Sequence, residues 1–129
     1  DRLVGNAGDD ILIAGYTLYD ANDLALAAVM AEWSSARTYA DRVADLRGDA
    51  AGVNFGSRAN GTYYLAVDGT LGHATTVFDD GVVDTLTGST GQDWFVFNAD
   101  GDGDPSKKDQ ATDLSATESV DDLDFINSP

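Results

Sequence analysis

Residues 1–13 read DRLVGNAGDDILI and residues 84–96 read DTLTGSTGQDWFV, so the chain states one pattern twice at a distance of 83 positions. An aspartate, a leucine, two glycines, a second aspartate and a large apolar residue recur in the same order. The two aspartates of each copy lie nine positions apart, and the second series continues from Asp93 to Asp102. A nine-residue period fits a six-residue glycine turn followed by a three-residue strand, repeated so that the strands stack in parallel.

The glycine turns have the composition of a calcium loop. Glycine adopts positive φ without steric cost, and its missing Cβ lets backbone carbonyls approach a bound ion. The aspartate that closes each turn, Asp10 or Asp93, adds a short carboxylate. Calcium takes about six to eight oxygen ligands in a flexible arrangement. The pattern therefore predicts that neighbouring turns bind several calcium ions between them.

These two segments resemble the calcium-binding nonapeptide of RTX proteins, G-G-x-G-x-D-x-U-x, with Asn6 and Ser89 standing where the second glycine is usual. The resemblance covers residues 1–15 and 84–104. The order of repeat, helical insert, repeat and acidic tail is also similar to a C-terminal region of large secreted bacterial proteins. The resemblance implies a β-roll that folds on binding calcium.

Between the repeats, the apolar spacing predicts two helices joined by a very short connection. The first covers residues 24–33, and the second begins at a cap on Ser34 or Ser35 and runs to about residue 46. Gly48 provides a conventional helix stop. Further along, residues 63–67 and 75–78 predict a β-hairpin around a turn at residues 68–69.

We therefore expect an α+β fold, in which a short parallel β-roll built from the repeats carries an inserted antiparallel helical hairpin and a β-hairpin. The 129 residues are expected to form a single calcium-binding domain. Its parts are the first repeat (1–15), the helical hairpin insert (16–48), a loop with strands (49–78), a second repeat block (79–104) and an acidic tail (105–129). Because the chain begins inside a repeat, we expect it to be a piece of a longer protein.

Two further segments contain candidate calcium ligands. Residues 79–84 form a degenerate repeat ahead of the second copy, or an ordinary acidic turn. Residues 98–109 place oxygen ligands at the spacing of an EF-hand loop, with Pro105 in place of the usual apolar residue; the alternative is a solvated acidic loop. The candidate ligands are Gly5, Asn6, Gly8, Asp10, Asp79, Asp80, Asp84, Gly88, Gly91, Asp93, Asn98, Asp100, Asp102, Asp104 and Asp109.

The composition agrees with this interpretation. A net charge of -16 argues against nucleic acid and anionic membranes as partners. Only Glu32 and Glu118 of the 23 acidic residues are glutamates, and turns and calcium loops prefer the shorter aspartate. The apolar run at residues 24–31 is too short to insert into a membrane. Because calcium is abundant outside the cell, we expect the protein to be secreted, extracellular or attached to the cell surface.

The sequence contains no recognisable catalytic motif. His73 is the one histidine and lies in a Gly/Thr stretch without a nucleophile pattern, so we expect a non-enzymatic protein. Two functions remain open. The first is a structural module whose folding and self-association into a filament or surface layer depend on calcium, which makes a homo-oligomer or polymer. The second is a calcium-folded appendage of a larger type I-secreted protein, serving as an export and folding aid or as part of an adhesin.

Overall fold

A computed structural model describes residues 1–67 and 70–123. Two helices are present, α1 (Asp23–Trp33) and α2 (Tyr39–Arg47). The strands are β1 (Arg2–Val4), β2 (Ile11–Ile13), β3 (Gly15–Thr17), β4 (Val77–Asp79), β5 (Thr85–Thr87), β6 (Trp94–Phe97), β7 (Gln110–Ala111) and β8 (Ser119–Asp122). Short 3₁₀ turns lie at Phe55–Ser57, Thr70–Gly72, Gly101–Gly103 and Pro105–Lys107.

Contacts divide the chain into two compact units. The layered unit contains residues 1–16 and the chain from residue 78 onward, and the helical unit contains residues 17–77. In the layered unit, β1, β5 and β7 form one parallel sheet, and β2, β6 and β8 form another. A third sheet pairs β3 with β4.

Each parallel sheet takes one strand from each of three segments, which we call the first layer (residues 1–13), the second layer (84–97) and the third layer (109–122). The register sets Leu12 of the first layer beside Phe95, and Phe95 beside Val120. Leu86 and Phe95 are fully buried in the apolar core of this unit. The repeated apolar positions of the sequence therefore meet across the layers.

The predicted β-roll is wrong, because the strands lie in three small sheets that are mostly parallel and do not form such a roll. The first-layer strands pair with strands 83 positions later, while the chain between them folds separately. The series that continues to Asp102 enters a 3₁₀ turn instead of another strand. The third layer comes from the acidic tail, which lacks the glycine pattern.

The predicted β-hairpin is also wrong. Residues 63–67 form no strand, and β4 pairs with β3. The two segments do run side by side, since the Thr76 N–H donates to the Ala66 carbonyl at 2.9 Å. However, the Ala66 N–H donates to the Thr76 hydroxyl, so a side chain replaces the backbone partner that a ladder requires. The predicted turn at residues 68–69 lies outside the described residues.

Both predicted helices are present in the helical unit. The Asn22 side chain accepts the Ala25 N–H at 3.1 Å and caps the start of α1. The second helix begins later than predicted, because Thr38 provides its cap instead of Ser34 or Ser35. Gly48 ends α2 with φ 76°, in the left-handed conformation that favours glycine.

Candidate metal centre

The two glycine turns have positive φ at the same two positions. Asn6 and Ser89 both have φ 70°, and Gly8 and Gly91 have φ 98° and 99°. A left-handed φ is unfavourable for residues other than glycine, although asparagine adopts it more readily than most. The places where the chain departs from the nonapeptide glycine pattern are thus places where its backbone still needs a positive φ.

The aspartate that closes each turn folds back over the glycine that opens it. A Cβ on Gly5 would collide with Asp10 Oδ2, and a Cβ on Gly88 would collide with Asp93 Oδ2. A side chain at either position would force the aspartate carboxylate to move, so this contact favours glycine at both positions. This contact explains why glycine and aspartate recur together in each copy.

Carboxyl groups at equivalent positions of the three layers form a stack, which we call the first carboxylate column (Asp10, Asp93 and Glu118). The Asp10 N–H donates to Asp93 Oδ1 at 2.9 Å. The Asp93 N–H in turn donates to Glu118 Oε2 at 2.8 Å. Each layer is thereby joined to the next by a carboxylate that accepts a backbone amide.

A second carboxylate column, Asp84 and Asp109, precedes the strands of the other sheet. The backbone nitrogen of Asp1 donates to Asp84 Oδ1 at 2.6 Å, and that of Asp84 donates to Asp109 Oδ1 at 2.7 Å. A spacing of 25 positions occurs in both columns, and a spacing of 83 positions separates Asp10 from Asp93 and Asp1 from Asp84. The two columns therefore continue the repeat into the third layer.

The columns concentrate negative charge in buried and half-buried positions. Burial raises the pKa of Asp93 to about 6, and the neighbouring carboxyl of Glu118 adds to the rise. Burial likewise raises the pKa of Asp109 to about 6, with contributions from Asp79 and Asp84. The pKa of Asp10 is raised by burial and by adjacent Asp9. The folded state thus holds carboxylates in an environment that penalises their charge.

A separate group of predicted ligands lines a cavity of about 250 Å³ in the layered unit. Asp79, Asn98, Asp102 and Asp104 all border it. The Asn98 Nδ2 group donates to Asp79 Oδ2 at 3.2 Å and to Asp102 Oδ2 at 3.0 Å, so one amide lies between two carboxylates. Asn98 Oδ1 accepts the Gly101 N–H at 2.8 Å, which fixes the orientation of the amide.

The other predicted ligands of residues 79–109 lie elsewhere. Asp80 is exposed and accepts the Val82 N–H within its own turn. Asp100 is exposed and accepts the Asp102 N–H, also within its own turn. Asp109 belongs to the second carboxylate column and also accepts the Asn98 N–H. The spacing of an EF-hand loop therefore brings only part of its oxygens to one cavity.

Two site residues were not found from the sequence. Glu118 completes the first carboxylate column. The Asp113 carboxylate accepts the N–H groups of Gly88 and Ser89 at 2.9 and 2.7 Å and so holds the second glycine turn. The signal was a spacing of 25 residues, since Glu118 follows Asp93 and Asp109 follows Asp84 by that number.

In residues 1–67 and 70–123, no three carboxylate or imidazole side chains converge on one point as metal ligands already in place. The His73 Nε2–H donates to the Gly48 carbonyl at 2.8 Å, and the His73 ring packs against the Tyr64 ring, both within the helical unit. None of the described helices is long and apolar enough to cross a membrane.

Comparison of the chain with protein-family models, with curated proteins and with solved structures gives no match. The resemblance to RTX nonapeptides rests on the residues of the two glycine turns.

Proposed function

We propose that the protein is a non-enzymatic, extracellular structural module whose folding depends on calcium. The observation that supports this proposal most directly is the first carboxylate column, in which Asp10, Asp93 and Glu118 occupy the same position of three stacked layers. In a chain with net charge -16, stacking these groups opposes folding at neutral pH. A divalent cation bound among them relieves that repulsion.

The chemistry of the donors suits calcium. The two glycine turns offer carbonyl oxygens, and the aspartates that close them offer carboxylates. Asp10 Oδ2 is buried and accepts no hydrogen bond, so it is a donor atom available to a cation. Calcium bound at such sites neutralises the charge of the carboxylates. Gly5 and Gly88 have no Cβ and so leave room for the Asp10 and Asp93 carboxylates.

The size of the effect follows from mass action. An ion that binds only the folded state stabilises it by about 1.4 kcal/mol when calcium is tenfold above the dissociation constant. Small domains are stable by about 5 to 15 kcal/mol, so several sites account for a large part of the total. Such a module folds where calcium is abundant, which supports an extracellular location.

Self-association is the second part of the proposal. The strands of the first layer, β1 and β2, and those of the third layer, β7 and β8, lie at the edges of their sheets. An edge strand offers backbone groups that a strand of another molecule can pair with. A head-to-tail contact through these edges propagates into a polymer such as a filament or surface layer.

The alternative function is a calcium-folded appendage of a larger type I-secreted protein. In that case the edge strands are covered by the remainder of the longer chain instead of by another copy. Size-exclusion chromatography and electron microscopy of the 129 residues with calcium distinguish the two functions. Large assemblies are expected for the structural module, and a monomer is expected for the appendage.

The calcium dependence itself is tested by thermal unfolding followed by circular dichroism, in excess calcium and in excess chelator. We expect a higher unfolding temperature with calcium, and a smaller increase for the Asp93→Asn variant. Asp80→Asn is the matched control, because it removes one charge from an exposed turn. Identical unfolding curves in calcium and chelator would contradict the proposal.

A further inference from the structure

The cavity bordered by Asp79 contains a buried acceptor that the protein itself leaves without a partner. Asp79 is 3% exposed, and its Oδ1 atom is buried without a hydrogen-bond partner. Its other oxygen accepts a long hydrogen bond from Asn98 Nδ2 at 3.2 Å. A buried carboxylate oxygen without a partner costs free energy, so such an atom points to a ligand.

The charges around the cavity define the ligand further. Asp79, Asp102 and Asp104 border it, and Lys107 is the cation of its lining. Three carboxylates and one ammonium leave two negative charges, which one divalent cation neutralises. The Asp104 carboxylate accepts the Ser106 hydroxyl and N–H at 2.7 and 3.0 Å, and these bonds fix its orientation at the cavity.

The dimensions also suit a hydrated ion. A cavity of about 250 Å³ has room for a cation and several waters, since one water occupies about 30 Å³ of liquid volume. Calcium accepts a mixed shell of carboxylates, carbonyls and waters with flexible geometry, whereas magnesium requires near-ideal octahedral ligands. A loop with few convergent side chains therefore favours calcium.

We propose that Asp79 binds a calcium ion in this cavity, separate from the glycine turns, and that Asn98 positions the Asp79 and Asp102 carboxylates. Asp102 and Asp104 move onto the ion when it binds, because the three carboxylates border the cavity without converging on one point. The site joins the end of β4 to the loop that follows β6, two segments that are about 20 residues apart in the sequence. It rests on the proposed function only for the choice of calcium. Its ligand set is that of neither the nonapeptide turns nor an EF-hand loop.

The test counts the calcium ions bound to the full chain by isothermal titration calorimetry and equilibrium dialysis, with calcium chloride as the ligand. We expect Asp79→Asn to lose one bound ion, or to weaken one site at least about tenfold. Asp104→Asn is expected to weaken the same site and, being exposed, to leave the fold intact. Asp80→Asn, which removes the adjacent charge outside the cavity, is expected to bind as the unmodified chain does.

Two further results separate this site from a general loss of folding. In chelator, Asp79→Asn is expected to unfold at a higher temperature than the unmodified chain, because it removes a buried charge. Lys107→Gln is expected to tighten calcium binding, because it removes the competing cation from the cavity.

Each possible outcome bears on the site. Equal ion numbers and affinities for the unmodified chain, Asp79→Asn and Asp104→Asn would overturn the site, even if Asp93→Asn lowers calcium binding and the proposed function stands. Absence of any calcium binding would overturn the site and the proposed function together.

Discussion

The backbone N–H of Asp10 donates to Asp93 Oδ1 at 2.9 Å, which joins two residues 83 positions apart that occupy the same place in a repeated turn. The Asp93 N–H forms the same bond with Glu118. A hydrogen bond from an amide to a carboxylate is charge-assisted and stronger than one between neutral groups. The stack therefore gains hydrogen bonds from the same carboxylates whose mutual repulsion opposes it.

The first prediction concerns pH. The pKa of Asp93, Asp109 and Asp45 is raised to about 6 in the folded state, in each case mainly by burial. Because the folded state binds these protons more tightly than the unfolded state, their contribution to stability is complete below about pH 4 and is lost as the pH rises through about 6. In chelator, the unfolding temperature is therefore expected to be higher at pH 5 than at pH 7.5.

In excess calcium, the difference in unfolding temperature between pH 5 and pH 7.5 is expected to be smaller. Calcium binds the deprotonated carboxylates and so stabilises the folded state at pH 7.5, where no proton is bound. Asp93→Asn and Asp109→Asn are expected to flatten the pH dependence in chelator. Asp80→Asn changes the charge equally at an exposed position and is expected to leave the slope unchanged. An unfolding temperature that rises from pH 5 to 7.5 in chelator would refute this account.

The second prediction concerns the glycine that opens the second turn. In Gly88→Ala, the new methyl group would collide with the Asp93 carboxylate. Overpacking of this kind costs about 1 to 3 kcal/mol, and the displaced Asp93 would lose its bond from Asp10. Gly56→Ala is the matched control, since nothing lies within 4 Å of its Cβ position. Urea unfolding measures the free energy of unfolding of both variants. The prediction fails if Gly88→Ala and Gly56→Ala have equal free energies of unfolding.

The third prediction uses the positive φ of Ser89. Because φ at this residue is 70°, Ser89→Gly removes backbone strain and is expected to raise the free energy of unfolding by about 1 kcal/mol. Thr90, the next residue, has no positive φ and is also exposed, so Thr90→Gly is expected to lower it by about 0.5 kcal/mol. Chemical unfolding of the two variants measures these changes in the free energy of unfolding. The two changes are expected to have opposite signs, and changes of the same sign would count against the positive φ of Ser89.

The sequence predicted those parts of the fold that local chemistry determines. The two glycine turns were visible because Gly5 and Asp10 recur as Gly88 and Asp93, and each pair is a steric contact within one turn. Both helices were visible from their apolar spacing, and the stop at Gly48 was found because its left-handed φ favours glycine.

The third layer was hidden because its turn is built differently. At the position of Gly88 it has Asp113, whose side chain reaches back to the amides of the second turn instead of opening space for a carboxylate. Without the glycine pattern, only the spacing of 25 residues indicates the layer. The β-hairpin was predicted wrongly because strand patterns do not reveal that the Ala66 N–H donates to the Thr76 hydroxyl instead of to a backbone carbonyl.

The last prediction concerns a buried acidic pair in the helical unit. Glu32 on α1 and Asp45 on α2 are both fully buried, and Arg37 lies beside them with Nη1 at 3.2 Å from Glu32 Oε1 and Nε at 3.7 Å from Asp45 Oδ2. One guanidinium thus faces two carboxylates. Burial and the neighbouring Glu32 carboxyl raise the pKa of Asp45 to about 6, and Arg37 opposes that rise. Removing one partner of a buried ion pair costs about 3 to 5 kcal/mol.

Arg37→Gln is therefore expected to lower the free energy of unfolding at pH 7.5 by at least about 3 kcal/mol. The loss is expected to be smaller at pH 5, where Asp45 binds a proton and the pair carries less charge. Arg2→Gln, at an exposed position of the layered unit, is the control and is expected to change stability by less than about 0.5 kcal/mol. Urea unfolding at both pH values measures these differences, and a loss for Arg37→Gln that does not depend on pH would show that Arg37 acts by packing alone and not through the two carboxylates.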